Sequence, residues 1–402
     1  MESNYIKLEE TSNLTTTSPF EILASLPIPL RGAQCVPHSN EIIICGGSFH
    51  NDCYSYHILR NQYKFICSYP KNISLYGHCV VKYANNHKNS NVNEITLLSF
   101  GGTNKHTLTM KYVSVWDEEK ENRNGVVDTK HINEWAPLID SKNKQVYIGG
   151  EKGLSEGLRA VIGGNNNHLL FITHLSKSIE IFDLGILQHI RHAILPIENV
   201  IMYHCFVLKP ENKLQTANEN NDNKKITEMM LFCERTGLSI KYNEATNTFQ
   251  FNNIRVCTTL RFFSSYGYVC VNDFILFFGG DNVYELGFSN EIYKYLTVEN
   301  KWIKFEQTLP MPLADSLVVA SEDNVHIHII GGCNGDKVES AHMKIKVKEL
   351  INEETEEEKR WIKEENEQII AEEIQLEIKK MDEGFDIKKL KVDRFLFTCY
   401  LF

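Results

Sequence analysis

The sequence of 402 residues has no long apolar run and no secretory leader pattern. No stretch approaches the roughly 18 consecutive apolar residues that a membrane span requires. The first 18 residues are polar and rich in threonine, whereas a secretory signal has a basic start followed by an apolar segment. We therefore expect a cytoplasmic protein with no membrane partner.

Paired cysteine spacings are also missing, although the chain contains eleven cysteines. A disulfide framework has an even number of cysteines at regular spacings and belongs to oxidising compartments. Here several cysteines lie inside apolar, strand-like runs, among them Cys45, Cys205, Cys233 and Cys270. This pattern predicts buried, reduced thiols.

A basic excess is absent, since the net charge is −10. Residues 349–383 carry 14 acidic and 5 basic side chains, a net charge of −9, so the rest of the chain is nearly neutral. Binding to nucleic acid relies on a basic face that neutralises phosphates. We therefore expect no nucleic-acid partner.

The chain does contain a repeat, a β-rich run that ends in two glycines. The first two pairs lie 55 residues apart and the last two lie 52 apart. The pairs are Gly46 and Gly47, Gly101 and Gly102, Gly279 and Gly280, and Gly331 and Gly332. Two aromatics seven residues apart follow the first and third pairs, as Tyr56 with Tyr63 and Tyr295 with Trp302. This pattern resembles the kelch repeat, whose period is about 50 residues.

The resemblance implies an all-β fold, a six-bladed kelch-type β-propeller. Two further units, at residues 159–182 and 203–249, keep the strand rhythm without the glycine pair. The sixth unit lacks its last strand, and residues 20–25 are expected to supply it and close the ring. We predict a polar tail at 1–18, the propeller at 19–347 and an acidic helical extension at 348–402. The helix is expected over 346–381, and mobile loops at 85–93, 117–131 and 211–225.

The first strand of each blade lines the channel of a propeller, so binding residues are sought where each repeat begins. The candidates are Arg31, His78, Arg159, His204, Tyr266 and Asp315. The pairs His78-Cys79 and His204-Cys205 raise a metal-site hypothesis. Alternation along a strand points His and Cys to opposite faces, and the kelch resemblance implies a packing role for such histidines. We therefore expect no metal and no cofactor, and a structural role for the eight repeat glycines.

Two classes of function fit this sequence. The first is a monomeric, non-catalytic scaffold or adaptor that binds a partner protein through one propeller face. The resemblance implies a cytoskeletal or ubiquitin-ligase partner, although only about 20 residues precede the first strand, too few for a BTB or F-box module. The alternative is an enzyme that resembles galactose oxidase, with a site at the channel mouth. Its cross-linked Cys and Tyr cannot be placed here, and nucleophile-elbow, phosphate-loop and HExxH motifs are missing, so the scaffold is preferred.

Overall fold

The computed structural model describes residues 18–83, 94–103, 105–116, 132–149, 156–209, 226–282, 284 and 287–382. The three segments expected to be mobile loops, 85–93, 117–131 and 211–225, lie outside the described residues. Within the described ranges, no helix is both long enough and apolar enough to cross a membrane.

Six antiparallel sheets among the described strands are arranged as the blades of a propeller, and a seventh sheet has only two strands. Blade 1 contains Gln34–His38, Glu41–Gly47, His50–His57 and Gln62–Ser68. Blade 2 contains His78–Tyr83, Glu94–Gly101, His106–Val113 and Ala136–Pro137. In both blades the second strand carries the apolar run that precedes a glycine pair. A short apolar run of this kind is typical of a strand buried on both faces.

The two units without a glycine pair are also complete blades, as the strand rhythm predicts. Blade 3 contains Arg159–Gly163, Leu169–His174, Ser178–Asp183 and Gln188–Ile194. Blade 4 contains Cys205–Leu208, Ile226–Cys233, Thr236–Asn243 and Thr248–Asn253. The glycine pair is therefore not required to form a blade.

Blade 5 contains Gly267–Val271, Phe274–Asn282, Phe288–Leu296 and Lys301–Lys304, and the short strand Phe263–Ser264 extends it. Blade 6 contains Leu317–Ala320, His326–Ile330, His342–Lys346 and, from the chain start, Glu21–Ile22. Residues Glu21 and Ile22 pair with Lys344 and Met343. The predicted closure of the ring by the N-terminal segment is thus confirmed.

Three short elements lie outside the blades. A two-stranded hairpin pairs Cys333–Asn334 with Lys337–Val338. Two 3₁₀ helices span Leu260–Phe262 and Val347–Leu350.

The apolar core is divided among the six interfaces between neighbouring blades. In the second strand of blade 1, Ile43 packs towards blade 2, whereas Ile42 and Ile44 pack towards blade 6. This alternation follows from the two-residue period of a strand. The first strands contact one another around the ring. A channel lined by these strands therefore runs through the centre.

The glycine pairs leave room for the chain segment that leads into the next blade. Gly331 has φ +62°, and a Cβ there would lie 2.4 Å from the carbonyl oxygen of Leu30. Gly279 has φ +64°, and a Cβ there would lie 2.1 Å from the carbonyl oxygen of Leu313. Both positions require a left-handed backbone and close approach of the next chain segment. At these two positions the geometry favours the predicted structural role of the repeat glycines.

The C-terminal helix α1 spans Glu356–Asp382 and packs against the outer strand of blade 5. The sequence predicted a helix start ten residues earlier, which is wrong. Lys346 belongs to a blade 6 strand, where it pairs with His326. The helix begins after Thr355, whose hydroxyl accepts the Glu358 backbone N–H at 3.2 Å, while Glu358 accepts the Thr355 N–H at 3.1 Å. This reciprocal capping box fixes where the helix starts.

Candidate functional site at the channel mouth

A collar of six left-handed residues surrounds the channel, one residue just before the first strand of each blade. The collar residues and their φ angles are Gly32 (60°), Gly77 (71°), Gly157 (71°), Tyr203 (49°), Ser265 (51°) and Asp315 (52°). Backbone N–H to carbonyl bonds of 2.8–3.1 Å join four neighbouring pairs, Gly157 to Gly77, Tyr203 to Gly157, Asp315 to Ser265, and Gly32 to Asp315. The collar thus ties the blades together around the channel.

Three collar positions carry side chains where glycine would be less strained. A left-handed conformation costs a non-glycine residue about 1–2 kcal/mol, and Tyr203, Ser265 and Asp315 all adopt it. Strain of this kind persists only where the surroundings enforce it, and it concentrates at functional sites. These three side chains lie together where the first strands of blades 4, 5 and 6 begin.

A cavity of about 210 Å³ opens inside the collar. Its lining includes Arg159, Tyr203, Tyr266 and Asp315 together with the starts of the first strands. Of the residues predicted from the sequence, the structure brings Arg159, Tyr266 and Asp315 to the cavity, and Arg31 lies beside collar residue Gly32. Their binding role stays a prediction.

Arg159 contributes a positive charge to the lining of this cavity. Its Nη1 donates to the carbonyl oxygen of Leu158 at 2.9 Å, and its guanidinium lies 5.8 Å from the ring centroid of Tyr203. Its charge also acts on Asp315, which comes from the opposite side of the ring. Since a guanidinium has five N–H donors, Arg159 retains capacity to bind further acceptors.

Asp315 carries the opposing negative charge. Burial raises the pKa of the Asp315 carboxyl above its ordinary value, while the charges of Arg159 and Arg31 and a hydrogen bond from Ser265 partly oppose this shift. Burial likewise raises the pKa of the Tyr203 hydroxyl. A perturbed carboxyl beside two guanidinium groups in a cavity is typical of binding and catalytic sites.

Several buried polar atoms near the cavity lack a partner with hydrogen-bond geometry among the described residues. They include Arg31 Nε and Ser316 Oγ. Buried polar groups in folded proteins are nearly always paired with protein or ordered water. The cavity is large and polar enough to hold several water molecules. The arrangement therefore suits water or a polar ligand.

His78 and His204 lie behind the channel wall instead of in the cavity. His78 Nδ1 lies 2.6 Å from the Leu75 carbonyl oxygen, and Nε2 lies 3.2 Å from that of Cys45 in blade 1. His204 Nε2 lies 2.6 Å from the hydroxyl of Thr173 in blade 3. Burial lowers the pKa of His78 to about 4. Both side chains thus connect neighbouring blades.

Tyr266 is also largely buried, and its hydroxyl donates to the Phe232 carbonyl oxygen at 2.8 Å. Within the described ranges, no three His, Cys, Asp or Glu side chains are grouped so that they could hold a metal ion.

Two groups of aromatic side chains, here called the rim, lie at the mouth, and sequence reasoning missed them. Phe49 is 73% exposed and Tyr284 is 58% exposed. The guanidinium of Arg31 lies 5.5 Å from the Phe49 ring centroid, and that of Arg235 lies 5.7 Å from the Tyr284 centroid. Each aromatic follows a glycine pair by a few residues. That position marks the loop between the second and third strands and was the available signal.

The rim continues around the mouth through Tyr76, whose ring centroid lies 6.4 Å from Phe49 and 6.1 Å from Tyr203. On the other side, Phe262 packs edge-on against Tyr284 at 5.9 Å. We call Phe49, Tyr76, Tyr203, Phe262 and Tyr284, with Arg31, Arg159 and Arg235, the mouth surface.

Comparison with known proteins supports the fold and goes no further. No protein-family model matches the chain, and no curated protein matches its sequence. The solved structure of YjhT is similar, with a TM-score of 0.51 and 12% sequence identity, over 80% of this chain and 96% of that one. At this identity the likeness concerns the fold alone. The described residues thus form a six-bladed β-propeller followed by the helix α1.

Proposed function

We propose that this chain is a kelch-type, non-catalytic scaffold of the cytoplasm that binds a partner protein through the mouth surface. The observation that carries the proposal is the set of three arginines, each placed over an aromatic ring at the same end of the channel. Tyr, Trp and Arg dominate the residues that supply most binding energy at protein interfaces. Phe49 and Tyr284 are exposed and add apolar surface that a partner protein could bury.

Rigidity of the mouth supports the same proposal. The collar's backbone hydrogen bonds fix the segments that carry Arg31, Arg159 and Tyr203. A pre-organised surface loses less conformational entropy when a partner binds. The kelch resemblance favours a ubiquitin-ligase or cytoskeletal partner, which a monomeric propeller would recruit through this surface.

A second candidate function is an enzyme or small-molecule binder, and the cavity inside the collar favours it. Asp315, whose pKa is raised by burial, lies there near Arg159 and near polar atoms without partners. Convergent polar groups and a perturbed pKa are typical of ligand pockets. The volume of about 210 Å³ is below the usual 300–1,000 Å³ of such pockets. We therefore rank protein binding first.

The proposal is tested by replacing exposed aromatic residues of the rim and identifying the proteins that each variant captures. The double variant Phe49→Ala with Tyr284→Ala is compared with wild type by affinity purification from cell extract and quantitative mass spectrometry. Loss of one interface hot spot costs 2 kcal/mol or more, which corresponds to about 25-fold in affinity. At least one captured protein should therefore disappear with the rim variant.

Leu59 and Ile186 supply the matched control. They are 76% and 60% exposed, and they lie in loops between the third and fourth strands, at the opposite end of the channel. The variant Leu59→Ala with Ile186→Ala should capture the same proteins as wild type. If the rim and control variants capture identical sets, the mouth surface is not the binding face. Copper-dependent oxidase activity in the wild type would support the enzyme instead.

A further inference from the structure

A groove outside the mouth surface separates helix α1 from blade 5. It has a volume of about 500 Å³, and its lining includes Phe305 and Trp361 as apolar residues. Four carboxylates and two basic side chains make up its charged lining, so the groove carries a net charge of −2. The acidic character of α1 is thus continued by residues of the propeller itself.

Both basic side chains of the groove are already in ion pairs. Lys304 Nζ lies 2.5 Å from Glu291, and Arg360 Nη2 lies 2.6 Å from Glu357. Glu306 and Glu364 complete the carboxylates, and no basic partner for either is found among the described residues. The groove therefore presents two carboxylates that are available to a cation from another molecule.

Trp361, which lines the same groove, suits the same kind of ligand. Trp361 is only partly buried, with its ring centroid 6.4 Å from that of Tyr293. A Lys or Arg side chain over an indole face gains about 0.5–1 kcal/mol at an exposed site. The aliphatic part of a Lys or Arg side chain can pack on an apolar surface while its charged end reaches the carboxylates. The lining thus combines the two features that recognise a basic side chain.

The helix wall of the groove is held in position by a cluster of ion pairs. Arg255 contacts Glu365 and Glu372, and Arg261 Nη1 lies 2.7 Å from Glu372. Glu365 also accepts the backbone N–H of Thr258 at 3.0 Å. Together with the capping box, these contacts fix the helix half that carries Trp361 and Glu364. A groove of fixed shape lowers the entropic cost of docking.

We propose that this groove docks a basic segment of a partner protein, with a Lys or Arg side chain over Trp361 and its charge between Glu306 and Glu364. Charge complementarity selects the occupant, since the unpaired groups of the groove are anionic. This surface is separate from the mouth and does not depend on it. One propeller would then hold two protein segments at once.

The test measures the anisotropy of a fluorescein-labelled peptide of alternating lysine and glycine in the presence of the full chain. The peptide should bind, and a matched glutamate and glycine peptide should not. Glu306→Gln with Glu364→Gln should weaken binding about tenfold. The control Glu353→Gln with Glu367→Gln changes the net charge equally at exposed positions outside the groove lining, and should change affinity less than twofold. Trp361→Phe, which retains an aromatic face, should weaken binding only a few-fold.

Further outcomes distinguish docking in the groove from binding at the mouth, from attraction to overall charge and from occupation by the chain's own tail. Phe49→Ala with Tyr284→Ala should leave peptide binding unchanged, so failure of the mouth proposal would not affect this one. Equal weakening by the groove and control pairs would show attraction to overall charge and overturn the proposal. A rise in affinity after removal of residues 383–402 would show that this chain's own tail occupies the groove, which also overturns docking by a partner.

Discussion

Closure of the ring by the N-terminal segment leads to a prediction that can be worked out residue by residue. Phe20 is buried in the cluster between blades 5 and 6, whereas Leu23 and Leu26 are buried in the cluster between blades 6 and 1. Leu23 and Leu26 also donate backbone N–H bonds of 2.9 Å to His342 and Ser340. The segment therefore joins two interfaces as well as pairing with blade 6.

We expect Leu26→Ala to lower the free energy of unfolding by about 2–5 kcal/mol, the usual cost of truncating a buried leucine. Leu26 is 4% exposed, whereas Ile22, in the same segment, is 67% exposed. Ile22→Ala should therefore change stability by no more than about 0.5 kcal/mol. Urea unfolding followed by circular dichroism measures both. Equal stability of the two variants would refute the closing role of the segment.

Deletion extends the same test to the whole closing strand. Removal of residues 1–26 should expose the edge of the His342–Lys346 strand, and unpaired edges promote aggregation. Removal of residues 1–17 should leave unfolding unchanged. Size-exclusion chromatography with light scattering detects the expected aggregates, and a monomeric, cooperatively folded 27–402 chain would contradict the prediction.

Two further predictions concern the repeat glycines and the helix. Gly332→Val should lower stability by about 1 kcal/mol or more, because φ is +105° and a Cβ would lie 2.7 Å from the Ala314 carbonyl oxygen. Gly287→Ala is the control, since no atom of the described residues lies within 4 Å of a Cβ there. A fully stable Gly332→Val chain would contradict the argument. Burial raises the pKa of Glu372, but Arg261 and Arg255 lower it overall, from 4.5 to about 2. Docking of α1 should therefore be fully stabilised above about pH 4.5 and weaken as the pH falls towards 2. Hydrogen exchange of the α1 amides should become faster at low pH in wild type, and this pH dependence should be absent in Glu372→Gln. Identical pH profiles of the two proteins would contradict a role of Glu372 in docking.

The fold could be predicted because its signals are local and repeated. Each second strand is a short apolar run, and four of the six end in a glycine pair. Because the sixth unit lacks its last strand, residues 20–25 at the chain start were expected to supply it. The helix start was missed because Lys346 is fixed by pairing with His326 in blade 6. Helical composition does not reveal such a tertiary contact.

The site was predicted only in part, since it depends on backbone conformation and strand parity. The sequence predicts binding residues near the start of each first strand, but it does not show which neighbour faces the cavity: Cys79 lines it, whereas His78 lies behind it. Likewise Tyr203 lines the cavity and His204 does not. Tyr203 has a left-handed φ, and its backbone N–H donates to the carbonyl oxygen of Gly157 at the start of the preceding blade. The residues next to Tyr203 in the sequence do not predict that conformation.

Site-specific photo-cross-linking tests most directly whether the mouth surface binds a partner protein. A photo-reactive benzoylphenylalanine is placed at Phe49 or Tyr284 at the mouth, and at Leu59 or Ile186 at the opposite end of the channel. All four positions are exposed, so each tolerates the substitution without disturbing the core. We predict that irradiation of living cells yields discrete cross-linked products from the two mouth positions and none from the other two. Cross-links to another protein from Leu59 or Ile186, with none from Phe49 and Tyr284, would contradict the account.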